Sequence, residues 1–248
     1  MEELNNYINA NEALEALLYD WHNNIKLRRQ NEDIAFFQSL LKQLFIKEVL
    51  VVGAGTGRIA IPLNETCNVD ALDINQGRLN RLERKTSSVN IICCDIAEYY
   101  TTKKYDCVIV PYSTFQCIYP TEKIIGMLKV IHEQLSYDGF LLIDLSTHFN
   151  EDVDEDWTLV AEGYSQEIGK KIKELQRTIR HQQYIDLNKL FQIDGEELKV
   201  LVNEIWYNYD AEYMKKVLSV TGFSIIEIRN GYGNEKSTHR RIYICKRV

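Results

Sequence analysis

Three glycines at alternate positions, Gly53, Gly55 and Gly57, follow the apolar run Val49-Leu50-Val51-Val52 and precede Ile59-Ala60-Ile61-Pro62-Leu63. A β-branched run of this kind reads as a buried parallel strand. Alternate glycines then let the backbone turn sharply into a helix and lie close against a ligand. The chemistry of such a loop is nucleotide binding. A loop that cradles a dinucleotide pyrophosphate wants Gly-x-Gly-x-x-Gly, but here the sixth position is Arg58, so the pattern suits a different ligand. A second run, Asn68 to Asp73, ends on a carboxylate twenty residues after Gly53 (73 minus 53), the distance a strand-helix-strand unit needs to place an acid on ribose hydroxyls. A third, Val89 to Cys93, is followed by Asp95. Either acid alone reads as a turn or cap residue, and it is their joint order after successive strands that makes a binding constellation.

These segments, with the apolar runs Tyr105 to Val110 and Gly139 to Leu145, resemble the class I, Rossmann-like S-adenosylmethionine-dependent methyltransferases over about Lys47 to Ser146, and more loosely to the C-terminus. The resemblance implies an α/β fold, a three-layer seven-stranded sheet of order 3-2-1-4-5-7-6 with the last strand antiparallel. It implies S-adenosylmethionine as cofactor and S-adenosylhomocysteine as product. Gly53, Ala54, Gly55 and Gly57 would pass under the methionine part, Asp73 with Ile74 would meet the ribose, Asp95 with Ile96 the adenine, and Pro111 would follow the fourth strand. One departure is Val51, where the family commonly carries an acid that orders the loop and the cofactor's ammonium group.

The elements that must position this site divide the chain into four stretches. Residues 1–46 hold apolar positions at helical spacing, such as Leu14, Leu17, Leu18, Phe37 and Leu41, and read as a helical lid. Within it Tyr19-Asp20 stands where many small-molecule methyltransferases place a similar pair over the cofactor, and Trp21 follows. Residues 47–150 are the cofactor-binding core. Residues 151–207 alternate as strands do over Thr178 to His181, Leu187 to Ile193 and Leu198 to Tyr207, with an Asp194-Gly195 turn, and read as an antiparallel β cap insert. Residues 208–248 return to helical spacing and close the core with two strands. In the resembled family such an insert is typical of a branch acting on amino sugars, glycine-like amines and other small metabolites, and it caps the substrate pocket.

Charge and cysteines bound the partners. With 29 Lys and Arg against 36 Asp and Glu, the net charge of −7 disfavours a nucleic-acid backbone. Arg78, Arg81, Arg84 and Lys85 follow helical spacing and read as a solvated face. The six cysteines contain no C-x-x-C pair, so they read as thiols in a reducing compartment, with no metal site. No stretch is apolar and long enough to span a membrane, which sets the expectation of a cytoplasmic monomer or homodimer.

Methyl transfer from a sulfonium mainly requires alignment and exclusion of water, so neither a metal nor a covalent nucleophile is expected. Candidate catalytic side chains are Tyr19 in the lid, Tyr112 after the fourth strand and His148 after the fifth, the best-placed histidine for proton removal, with His22 comparable. Candidate acceptor contacts are Trp21, Phe115, Glu204, Trp206 and Tyr207; Tyr112 and Phe115 read equally as packing for the next helix. The acidic run Glu151 to Asp156 would attract a cationic acceptor if it edges the pocket, giving an electronegative, aromatic-lined cavity. The expected activity is methyl transfer to an amine nitrogen of a small metabolite or peptide. The alternatives are an oxygen or carbon acceptor, or a catalytically silent binding subunit.

Overall fold

The computed structural model describes residues 7–26, 31–147, 155–233 and 239–248. The chain opens with strand β1 (Tyr7–Asn9) and helices α1 (Glu12–Lys26) and α2 (Glu32–Gln43). It then runs through β2 (Glu48–Val52), α3 (Ala60–Leu63), β3 (Asn68–Asp73), α4 (Gln76–Lys85), β4 (Asn90–Cys93), β5 (Tyr105–Val110), α5 (Thr121–Gln134) and β6 (Leu135–Ser146). Four long strands follow, β7 (Glu155–Ser165), β8 (Lys170–Arg180), β9 (Tyr184–Ile193) and β10 (Lys199–Tyr207). The chain closes with α6 (Ala211–Val220), β11 (Phe223–Asn230) and β12 (Arg240–Arg247).

Seven strands form one sheet in the order β4-β3-β2-β5-β6-β12-β11, with β12 antiparallel to both neighbours. This is the expected order. Side chains alternate across a strand, and both faces of this sheet are apolar. Val49, Val51, Ala71 and Ile109 pack under α2, α3 and α4, while Leu50, Val52, Val108 and Ile143 pack against α5 and α6. The two clusters make the three layers.

β10, β9, β8 and β7 form a second, antiparallel sheet, and β1 adds to its edge parallel to β10. The N-terminal stretch is therefore not helical throughout. Three residues are too few to show an alternation, and β1 is defined by its partner. The cap strands also begin earlier than the alternation suggested, at Glu155 and Lys170, because β7 and β8 bury residues only intermittently. Helix α1 lies between the sheets, with Leu18 and Trp21 packed on Ala161, Ile172 and Phe191. Gly163 permits that approach, since a methyl group there would stand 2.7 Å from an Ile25 carbon.

Candidate active site

The carboxyl ends of β2, β3 and β4 face a cavity of about 1400 Å³, enclosed further by α1 and by β8, β9 and β10. Pockets for one small ligand run to roughly 1,000 Å³, so this one has room for two ligands side by side.

The glycine loop turns at its base. Gly53, Gly55 and Gly57 take φ of 73°, 55° and 91°, a region that side chains rarely adopt. At Gly55 a methyl group would also stand 3.2 Å from a Tyr19 ring carbon. The Gly55 N–H donates to Asp73 Oδ2 at 2.7 Å, and the Asn75 N–H donates to Asp73 Oδ1 at 2.9 Å. Thr56 Oγ1 donates to Asp20 at 2.7 Å, while Lys85 Nζ donates to the Thr56 carbonyl at 2.9 Å. Val51 is buried in the apolar layer below. Asp73 and Asp20 thus hold the loop that an acid at position 51 would otherwise order.

The basic face of α4 is not solvated, contrary to its helical spacing of charge. It is the seat of α1: Glu15 pairs with Arg78 at 2.5 Å, and Asp20 pairs with Arg81 at 3.1 Å and with Lys85 at 2.5 Å. Arg81 also pairs with Glu167, in the turn between β7 and β8, at 2.7 Å. Of the four basic residues, Arg84 alone makes no ion pair among the described residues. A pattern of cations shows a charged stripe, but not whether another helix brings the matching acids. The Arg78 guanidinium lies 4.1 Å from the centre of the Tyr19 ring. Burial raises the Tyr19 phenol above its ordinary value despite Arg78, so Tyr19 is a wall and hydrogen-bond donor rather than a base.

After β5 the chain places two successive non-glycine residues in the left-handed region, Tyr112 at φ 50° and Ser113 at φ 66°. Such conformations persist only where the surroundings enforce them. Here the buried Asp144 does so. It accepts from the Tyr112 N–H at 2.9 Å, from Tyr232 Oη at 2.5 Å, and from Arg240 Nε and Nη2 at 2.9 and 2.6 Å. Arg240 also donates to Ser113 Oγ at 3.0 Å and lies 5.0 Å from the Tyr112 ring centre. Burial raises the Tyr112 phenol against the charge of Arg240, and Tyr112 too stays protonated. Cys117 opens on the cavity within a largely protein environment, and its thiol is pushed up to about 12, chiefly by desolvation.

The roof is the inner face of the cap. Glu174, fully buried, meets His22 Nδ1 at 2.6 Å and accepts from Gln176 at 2.7 Å through its other oxygen. Burial pushes the Glu174 carboxyl up, but the His22 hydrogen bond and nearby positive charge outweigh it and hold the group below the ordinary glutamate value. Beside it Lys189 Nζ donates to Glu204 at 2.6 Å. Burial disfavours both charges; their attraction prevails, lowering Glu204 and raising Lys189. Glu204 therefore reaches the cavity already neutralised, and the roof is mixed in charge rather than electronegative.

Of the residues expected from sequence, Tyr19, Gly53, Asp73, Ile74, Asp95, Ile96, Tyr112, Glu204 and Trp206 line the cavity. Ala54, Gly55, Gly57 and Pro111 belong to the turns behind its wall. Three expected acceptor contacts lie elsewhere. Trp21 packs edge-on to Phe191 at 6.2 Å between α1 and the cap, and Phe115 is fully buried edge-on to Tyr209 at 5.5 Å. Tyr207 stacks at 4.3 Å on Tyr119, and it is Tyr119 that borders the cavity. His148 and residues 151–154 of the acidic run fall outside the described residues. Sequence reading missed Glu174, Lys189, Asp144 and Arg240. Only the first has a faint signal: Glu174, Gln176 and Thr178 put polar groups at every second position of one strand, as a polar inner face of the cap requires.

Residues 49–139 match the family model described as a methyltransferase domain. No curated protein matches the chain by sequence. Among solved structures, an S-adenosylmethionine-dependent methyltransferase from Clostridium acetobutylicum is similar at 16% identity and a TM-score of 0.78, covering 92% of this chain and 97% of that one. The sugar N-methyltransferase KedS8 from Streptoalloteichus is similar at 16% identity and 0.77, covering 97% and 95%. CalS10 from Micromonospora echinaspora, an amino pentose methyltransferase solved with bound S-adenosylmethionine, is similar at 12% identity and 0.71, covering 88% and 91%. At these identities the likeness is one of fold.

Proposed function

We propose, from the premise that this chain is a class I S-adenosylmethionine-dependent methyltransferase, that its acceptor is an amine nitrogen of a small metabolite or peptide. The loop at Gly53, which lines the cavity, suits the methionine part of the donor. Asp73 suits the ribose, and the slot between Ile74 and Ile96 beside Asp95 suits the adenine. Ile74 is 71% exposed where it borders the cavity, an apolar surface that a flat base would cover. When bound, S-adenosylmethionine supplies an electrophilic methyl group, and S-adenosylhomocysteine is the product.

The observation that carries the acceptor reading is the capped cavity itself. Its volume exceeds one ligand's, and the part not needed for the donor lies under β8, β9 and β10. A roof of this kind admits a small molecule or a chain end and shuts out a duplex or folded protein surface. The roof offers the paired Glu204 and Lys189, Gln176, and the indole N–H of Trp206, which has no partner among the described residues. Such groups suit an acceptor carrying both amine and other polar functions. KedS8, a sugar N-methyltransferase, and MtfA, a glycopeptide N-methyltransferase, support an amine.

The test is incubation with S-adenosylmethionine and a matched panel, ethanolamine, glucosamine and a short peptide against glycerol and glucose, with products read by mass spectrometry. Methylated amines with unreacted alcohols are the expected result. Methylation of alcohols alone would transfer the reading to oxygen chemistry, and no donor turnover with any member would favour a silent binding subunit.

A further inference from the structure

We infer that His22, oriented by Glu174, is the general base that removes the proton from the acceptor nitrogen. The inference rests on the amine reading above and assigns its proton. His22 lines the cavity, one helical turn beyond Tyr19 on the same face of α1. Tyr19 stands over the glycine loop, so His22 lies where the donor's end of the cavity passes into the space beneath the cap. Its Nδ1 is engaged by Glu174 at 2.6 Å, and its Nε2 has no hydrogen-bond partner among the described residues. Glu174 is in turn fixed by Gln176. A buried carboxylate on Nδ1 selects the tautomer with the proton there, leaves Nε2 as an acceptor and stabilises the imidazolium once it forms.

An alkyl ammonium has no free electron pair at neutral pH, so a proton must leave before or as it is methylated. In the step proposed, the nitrogen's electron pair forms the new nitrogen–carbon bond while the carbon–sulfur bond breaks with its electrons passing to sulfur. The nitrogen's proton goes to His22 Nε2 and then to solvent. Other charged or titratable groups around His22 are Tyr19 on its own helix, Lys189 on β9, Glu204 on β10 and Arg78 on α4. Lys189 and Glu204 form their own pair, Arg78 is held by Glu15, and Tyr19 stays protonated. Among them His22 alone combines a free acceptor nitrogen with an orienting carboxylate. Glu174 is a positioning residue, acting through His22.

Two measurements decide the matter. Nitrogen-15 NMR of the histidine-labelled full chain with S-adenosylhomocysteine, using His22→Gln to assign the signal, is expected to show the Nδ1–H tautomer at His22 and its loss in Glu174→Gln. Kinetics with an amine from the panel are expected to show kcat falling about 10²–10⁴-fold in His22→Gln, with the affinity for S-adenosylhomocysteine by calorimetry within about twofold of wild type. Glu174→Gln should lower kcat roughly tenfold while leaving KM within about twofold, as expected of a residue that orients the base without touching the acceptor. The Nε2–H tautomer, or wild-type kcat in His22→Gln, overturns the inference. If the wild type methylates no amine, the acceptor reading fails instead, and the tautomer alone decides whether His22 is built as a base.

Discussion

Both oxygens of Asp73 are committed to backbone amides, one at Gly55 and one at Asn75. A carboxylate has lone pairs to spare, so the same group can take ribose hydroxyls while holding the loop that faces them. Asp73→Ala should therefore weaken S-adenosylhomocysteine binding by about ten- to a hundredfold in calorimetry, since a charged hydrogen bond is worth roughly 1.5–3 kcal/mol. Unchanged affinity would remove Asp73 from the site. Tyr19 presents a different case, because it is the ring that covers Gly55. Tyr19→Phe should hold cofactor affinity within about threefold, and Tyr19→Ala should lower it by about tenfold. The reverse ranking would show that the phenol matters and the wall does not. Asp73 stands out in sequence because it lies a fixed distance after the glycine loop, and Tyr19 because Tyr19-Asp20 precedes the core where the resembled family places a similar pair. Glu174 does not, because its partner is 152 positions away and nothing local marks it.

At the scale of elements, α1 is clamped from two sides, by ions on α4 and by apolar packing and the His22–Glu174 pair on the cap. Asp20 receives Thr56, Arg81 and Lys85 together. Asp20→Ala leaves Lys85 without its carboxylate, Arg81 with Glu167 alone and the Thr56 hydroxyl without its acceptor, and partial exposure of Lys85 tempers the loss, so a destabilisation of about 2–4 kcal/mol is expected in denaturant melts. A change under about 0.5 kcal/mol would show the clamp to be decorative. The cap side responds to acid. Glu174 and Glu204 both titrate below the ordinary glutamate value when folded, so their contribution is fully present above that value. It is lost as pH falls through their lowered folded values. Hydrogen exchange should show α1 and β8 to β10 opening below about pH 4.5 before the seven-stranded sheet does; uniform loss of protection would contradict this. Helix α1 itself was readable from its spacing, whereas its seat was not, since the stripe of arginines on α4 looks the same whether water or a helix covers it.

For the molecule as a whole, the seven-stranded sheet was legible because each central strand is an apolar run that both faces must bury, and β2 to β6 follow one another with only helices and loops between them. The second sheet was only partly so, because its strands alternate weakly and one edge is contributed from the other end of the chain. That edge bears on truncation. Removing residues 1–26 uncovers Ala161, Ile172 and Phe191, so the shortened protein should lose the cap's order, becoming open to proteolysis between 155 and 207 while keeping its core sheet. Resistance of that stretch equal to the full chain's would show the cap to be self-supporting. The same pairing also sets a sequence of events during synthesis. Tyr7 registers with Lys199, 192 positions later (199 minus 7). Strand β1 thus leaves the ribosome long before its partner, and with it Leu18 and Trp21 wait uncovered while roughly ten seconds or more of translation pass. The cavity, whose lining reaches from Tyr19 to Arg240, comes into being only when β8 to β12 have emerged to meet the waiting helix.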